Sequence, residues 1–173
     1  MVKDFVKAIS RLVNGTRDGG QSFKFLDPGV LQDDDLELHL VRTLHGRTYG
    51  EEVATYRFLM RKPGVKDEIG RIDLRIGDTE RIQLYLGHIG YRVFSAYRGN
   101  RYAARACRLL LPLARAHGIN ELWITCNPDN LASRRTCELI GAELIEVVDV
   151  PEGTDFYRAG ELQKCRYLLD LNL

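Results

Sequence analysis

The chain has 173 residues, 45% of them hydrophobic and 28% charged, with a formal net charge of +1 at pH 7. That length suits one domain with a core of its own, needing neither disulfides nor metal to hold it. A charge so near zero supplies no global field for nucleic acid or a membrane surface, so basic clusters are judged one at a time.

The cysteines, at 107, 126, 137 and 165, form no C-x-x-C pair and have no histidine at ligand spacing. They read as buried free thiols in a reducing compartment, with neither a disulfide frame nor a metal site. The opening MVKDFVKAISRLV is interrupted by charge and lacks the apolar run of a signal peptide. The longest apolar block, Leu109 to Ala114, is too short to span a bilayer. The expectation is a cytoplasmic protein that binds no membrane and no nucleic acid.

In chain order, Val2, Phe5, Val6, Ile9, Leu12 and Val13 fall at helical spacing and predict a short N-terminal helix, broken by Asn14-Gly15 and Gly19-Gly20. A turn-rich stretch follows to Asp35, its clearest turn at Asp27-Pro28-Gly29. Strands are expected over Leu36–Thr43, Val53–Arg61 and Glu68–Ile76. Lys62-Pro63-Gly64 joins the last two, which favours an antiparallel meander over a crossover. Ile82, Leu84 and Leu86 then lead to a short strand near Gly90.

The next segment predicts a helix with Ala103, Ala106, Leu110, Leu113 and Ala114 at core spacing and Arg101, Arg105, Arg108 and Arg115 on another face. Pro112 removes a backbone donor, at ~3 kcal/mol if unrelieved. Because the apolar pattern resumes at Leu113, it predicts a kink, with Gly118 as the C-terminal cap. Glu121–Cys126 reads as a strand buried on both faces, with Trp123 in the core. Asn130 or Asp129 caps a helix running to about Ile140 and ended by Gly141. Ala142–Val150 reads as a strand and Pro151–Gly160 as a loop. Cys165, Tyr167, Leu169 and Leu171 form one face of a closing strand. Without a linker or repeat, the chain reads as one α+β domain over 1–173, with 1–35 as a variable N-terminal helix and loop.

Between the Gly90 strand and the long helix lies Tyr97-Arg98-Gly99-Asn100-Arg101-Tyr102-Ala103. The N–H groups of a helix's first turn lack intrahelical partners and carry the positive end of the dipole, so a basic turn there suits a phosphate-bearing ligand. Arg98-Gly99-Asn100-Arg101-Tyr102-Ala103 resembles the Gln/Arg-x-x-Gly-x-Gly/Ala pyrophosphate motif of the GNAT N-acetyltransferase superfamily, with Arg101 where the central glycine is expected. Asn130-Leu131-Ala132-Ser133-Arg134-Arg135-Thr136-Cys137-Glu138-Leu139-Ile140-Gly141-Ala142 is similar to the family's Asn-x-x-Ala/Ser-x-x-x-Tyr-x-x-x-Gly-Phe segment, with Cys137 in place of the tyrosine. The order and spacing of the two matches are more specific than either alone, and the likeness runs from about Leu36 to the C-terminus.

The resemblance implies a single-domain GNAT-like fold, a central mixed, mostly antiparallel twisted sheet flanked by helices. It implies acetyl-CoA as cosubstrate and direct transfer of the acetyl group to a primary amine of a small-molecule or peptide acceptor. It places Val93 and Phe94, on the strand carrying the oxyanion donor, with Arg98, Gly99, Asn100, Arg101, Tyr102, Ala103, Asn130 and Ser133 at the cofactor. Arg101 keeps the backbone N–H of the glycine it replaces and adds a side chain that swings aside or joins the binding. His88 is the first candidate for the base, an imidazole with ordinary pKa about 6.5. It also reads as a strand-edge histidine bonded to backbone, with Asp73, Glu51, Glu52 and Glu68 as alternatives acting through water. Cys137 is the candidate acid, or else a small apolar filler. Arg98 and Arg101 also read as solvated helix-start charges.

Two other functions fit the residues. The departures at Arg101 and Cys137 suit a non-catalytic acyl-CoA-binding regulatory module. The arginine face from Arg98 to Arg115, with Tyr91, Tyr97 and Tyr102, suits RNA stacking, against the near-neutral charge. A homodimer fits the fold type.

Overall fold

The computed structural model describes residues 23–48 and 51–172. The helix expected at residues 2–13 and the side chains of Glu51 and Glu52 lie outside the described residues.

Five strands form the predicted meander: β1 (Leu31–Asp33), β2 (Leu36–Thr48), β3 (Glu51–Arg61), β4 (Glu68–Ile76) and β5 (Ile89–Val93), each antiparallel to the next. β2 runs well past the expected Thr43, and its ladder slips between Leu40 and Arg42, a bulge that leaves Leu40 and Val41 both exposed. Ile82, Leu84 and Leu86 do not continue as a strand. They occupy a single π-helical turn, Ile82–Leu86, closed by the Gly87 N–H donating to Ile82 O at 2.8 Å.

Helix α1 (Tyr102–Ala116) continues through Pro112 as the resumed pattern requires. Leu110 and Leu113 on either side are buried, each contributing roughly 1.5–3 kcal/mol, enough together to offset the proline. Strand β6 (Glu121–Cys126) and helix α2 (Leu131–Ile140) follow, the latter capped by the Asn130 side chain, which accepts the Ser133 N–H at 3.1 Å. Strand β7 (Glu143–Asp149) leads to a loop holding the one-turn helix α3 (Asp155–Arg158), and strand β8 (Gln163–Asp170) closes the chain.

The expected single sheet resolves into two. β6, β8 and β7 form a second antiparallel sheet in that spatial order, the last strand sitting between the two before it. Helices α1 and α2 pack into the core that both sheets share. Tyr56, Phe58, Ile72 and Leu74 pack with Ala106, Leu110 and Leu113 of α1 and with Leu122, Ile124 and Tyr167 of the second sheet in one continuous core.

Beyond this shared core, the strands of the two sheets are joined by hydrogen bonds at the His88–Trp123 junction. The His88 N–H donates to Trp123 O at 2.7 Å, and the Trp123 N–H donates to His88 Nδ1 at 2.9 Å. Gly87 makes the approach possible: at φ 71° it lies so close that a Cβ there would stand 3.0 Å from the Thr125 nitrogen. Beyond this contact β5 and β6 part company, and the gap between them is the site.

Candidate functional site

Parallel neighbours normally pair along their length, and here β5 and β6 splay after a single contact. The result is a cleft of about 430 Å³ lined by Ile89 to Val93 on one side and Thr125 to Asn127 on the other, with Arg98, Ala103, Asn130 and Ser133 at its helical end. Strand alternation decides which way the unpaired groups face. The Phe94 N–H donates to Ile69 O on β4 at 2.9 Å, so the N–H groups one residue before it and two further back, Val93 and Tyr91, turn away from β4 toward the gap.

The same alternation splits the cleft between the two faces of the second sheet. Leu122, Ile124 and Cys126 of β6 and Cys165 and Tyr167 of β8 join the core under the helices. Trp123 and Thr125, with Lys164 and Arg166, therefore face the other way. There the Arg166 guanidinium lies 4.2 Å from the Trp123 ring centre, and Thr125 Oγ1–H donates to Tyr85 O at 2.7 Å. The cleft is thus a passage. One mouth has the two helix starts; the other has Leu86, Glu161 and Lys164.

At the helical mouth, Asn100 Nδ2 donates to Tyr97 O and Arg98 O, and Gly99 sits at φ 86°, which tightens the turn. Arg101 takes the left-handed conformation itself, φ 57° and ψ 18°, at the residue before α1. The backbone shape that glycine would supply is therefore reproduced by an arginine, at a cost of about 1 kcal/mol. Its side chain is exposed, as are those of Arg98, Asn100 and Arg92. Arg98 Nε donates to Val93 O at 3.2 Å, holding that guanidinium against the mouth.

Of the ten residues expected at the cofactor, the structure brings Val93, Arg98, Ala103, Asn130 and Ser133 to the cleft wall. Gly99, Asn100 and Arg101 form the turn beside it. Phe94 spends its N–H on β4, and Tyr102 is buried as a tether, its hydroxyl donating to Asp35 Oδ2 at 2.6 Å. Arg105 completes that tether on Asp33 and Asp35.

The two catalytic candidates are not brought to the wall. His88 is buried at the junction of the sheets: Nδ1 accepts from Trp123 and Nε2–H donates to Gly77 O at 2.8 Å, so neither ring nitrogen is left for a substrate proton. Burial holds its pKa below the ordinary imidazole value. Cys137 is fully buried in α2, and burial pushes its thiol up to about 12. Asp73 is engaged by Arg57 through two hydrogen bonds of 2.9 and 2.8 Å, and Glu68 pairs with Arg71.

Four lining groups carry chemistry that the sequence did not assign to this site. Tyr91 shares a 2.8 Å hydrogen bond with Ser133 Oγ, joining the two walls, and burial raises its phenol pKa strongly. Cys126 sits on the wall with its thiol pKa raised by burial. Glu161 and Lys164 form a pair at the second mouth, 2.8 Å apart. The only local signal for the last two was a charged i, i+3 pair entering a strand, which any surface strand also shows.

The family profile described as an acetyltransferase (GNAT) domain matches residues 21–143. Among solved structures, RimL, a ribosomal alpha-N-protein acetyltransferase in complex with coenzyme A bound as a disulfide to a cysteine, superposes with TM-score 0.57 at 14% identity, over 82% of this chain and 97% of that one. A GNAT-family acetyltransferase from Bacillus anthracis gives 0.53 at 20% identity, over 68% and 67%. The microcin C7 self-immunity acetyltransferase MccE, in complex with acetyl-CoA and AMP, gives 0.50 at 19%, over 67% of this chain and only 61% of its own. At these identities the structural likeness establishes the fold. No curated protein sequence matches the chain.

Proposed function

The chain belongs to the GNAT acetyltransferase family, and on that premise we propose that it transfers an acetyl group from acetyl-CoA to a primary amine by direct attack. The observation that carries this reading is the passage between β5 and β6, open to the helix starts on one face and to a charged pair on the other. A cosubstrate that carries pyrophosphate at one end and a reactive acyl group at the other fits such a passage.

In this reading Arg98 and the amides of the Gly99–Ala103 turn hold the pyrophosphate, with Arg101 adding charge beside it. Asn130, Ser133 and the β5 backbone flank the pantetheine arm. Acetyl-CoA supplies the activated acyl group as a thioester. The N–H of Val93 or Tyr91, turned into the gap, would donate to the carbonyl oxygen as it gains charge. The chain's main work is placement, bringing amine and carbonyl to near-attack distance. Because a thiolate is a good leaving group, the buried Cys137 need supply no proton.

Acetyl-CoA should raise the melting temperature by linkage, the stabilisation reaching about 2.7 kcal/mol at a hundredfold excess over Kd. Thiol release on adding amines then separates an enzyme from a binder. Absence of stabilisation by acetyl-CoA or CoA up to millimolar concentration would refute the cofactor reading.

A further inference from the structure

Resting on the acetyl-transfer reading above, we propose that Glu161 binds the acceptor's ammonium and takes its proton, with Lys164 as the residue that positions it. An alkylamine reaches the enzyme protonated and cannot attack a carbonyl until one proton is removed. Among the described residues Glu161 is the one carboxylate on the cleft wall; the other charged residues there, Arg92, Arg98 and Lys164, are cations. It stands at the mouth opposite the phosphate-binding turn, on the Trp123 face, where an acceptor meets an acyl group fed through from the helical side.

The pair is built rather than casual. The Lys164 side chain is 7% exposed and donates from Nζ to Glu161 Oε2 and to Asn127 Oδ1, both at 2.8 Å. The Phe156 ring lies 5.4 Å from the same ammonium. A lysine so enclosed beside a cleft fixes the carboxylate's direction. Glu161 itself stays 30% exposed, and its Oε1 accepts no hydrogen bond among the described residues. One oxygen is locked and the other is open to the acceptor.

The step balances without any further reagent. Glu161 takes one proton from the ammonium, the freed nitrogen lone pair forms the amide bond, the carbon–sulfur bond breaks, and a second nitrogen proton passes to the departing sulfur. Glu161 then releases its proton to solvent.

Two small amines test this with acetyl-CoA and a thiol-release assay at neutral pH: propylamine, which is an ammonium there, and trifluoroethylamine, which is largely uncharged. Glu161→Gln keeps an oxygen for Lys164 and loses the base. It should lower kcat/KM on propylamine by about 10²-fold or more and on trifluoroethylamine by less than about threefold, with stabilisation by acetyl-CoA intact. Lys164→Met should show the same split, and Lys164→Arg should restore most of it. An equal loss on both amines, or a Glu161→Gln loss on propylamine below about threefold, overturns the assignment while leaving the transfer reading standing. A wild-type protein stabilised by acetyl-CoA that turns over neither amine overturns the transfer reading and this assignment with it.

Discussion

His88→Ala removes the group that joins the two sheets, and its cost follows from the contacts. The Trp123 N–H, buried beside a residue only 2% exposed, loses its acceptor, at about 1–3 kcal/mol. The Gly77 carbonyl loses its donor, and removal of a buried ring leaves a cavity, so the total reaches about 3–5 kcal/mol. For a chain of this length that lowers Tm by about 6–20 °C. His88→Asn, which can still accept from Trp123, should recover part of the loss.

The wild type should also show the linkage. The folded imidazole titrates below its unfolded value of about 6.5, so under that pH the unfolded state binds more protons. Its stabilising contribution is fully present above about pH 6.5 and is lost as pH falls from there toward the folded value, at up to about 1.4 kcal/mol per pH unit. His117, half-buried with its Nε2 2.7 Å from the Tyr56 hydroxyl and its pKa likewise lowered by burial, adds in the same direction. Urea unfolding at a series of pH values measures both effects. A His88→Ala loss below about 1 kcal/mol, or a wild-type stability flat from pH 7 to 5, would refute the junction role.

Arg98→Ala should weaken acetyl-CoA binding by several-fold to about tenfold in calorimetry, the range for one exposed charge-assisted contact, and the salt dependence of binding should shrink with it. Arg101→Gly should leave Tm unchanged or raise it by up to about 4 °C, since relief of the left-handed strain competes with glycine's unfolded-state entropy; a clear fall in Tm contradicts that backbone assignment. Asn130→Ala should cost about 1 kcal/mol through the lost cap of α2, read as a shift in denaturation midpoint. Cys126, the one cysteine on the cleft wall among the described residues, should react slowly with iodoacetamide because burial disfavours its thiolate; acetyl-CoA should slow it further, and equal rates with and without would place the pantetheine arm elsewhere.

Much of the helical mouth was legible because it is written in adjacent residues. The turn from Arg98 to Ala103, the Asn130 cap and the Gly141 stop all act through bonds spanning a few positions, and each formed where the local pattern put it. The other mouth was illegible for the opposite reason. Asn127 reaches Lys164 across 37 positions, and Gln83 O receives the Arg166 guanidinium across 83. His88 illustrates the gap within one residue. Its type and place beside the cofactor strand suggested a base, while the partners of its two nitrogens, Gly77 and Trp123, were set by packing alone.

By itself the sequence determined the α+β class, the antiparallel meander, both site helices and the basic turn with its family likeness, because periodicity, capping and turn chemistry are short-range. The structure alone decided that β8 enters between β6 and β7, that β5 and β6 part after the His88–Trp123 junction, and that Glu161 with Lys164 lines the far mouth. Those outcomes depend on which distant strands share hydrogen bonds and which side chains must be buried together, and nothing in the local pattern carries that information.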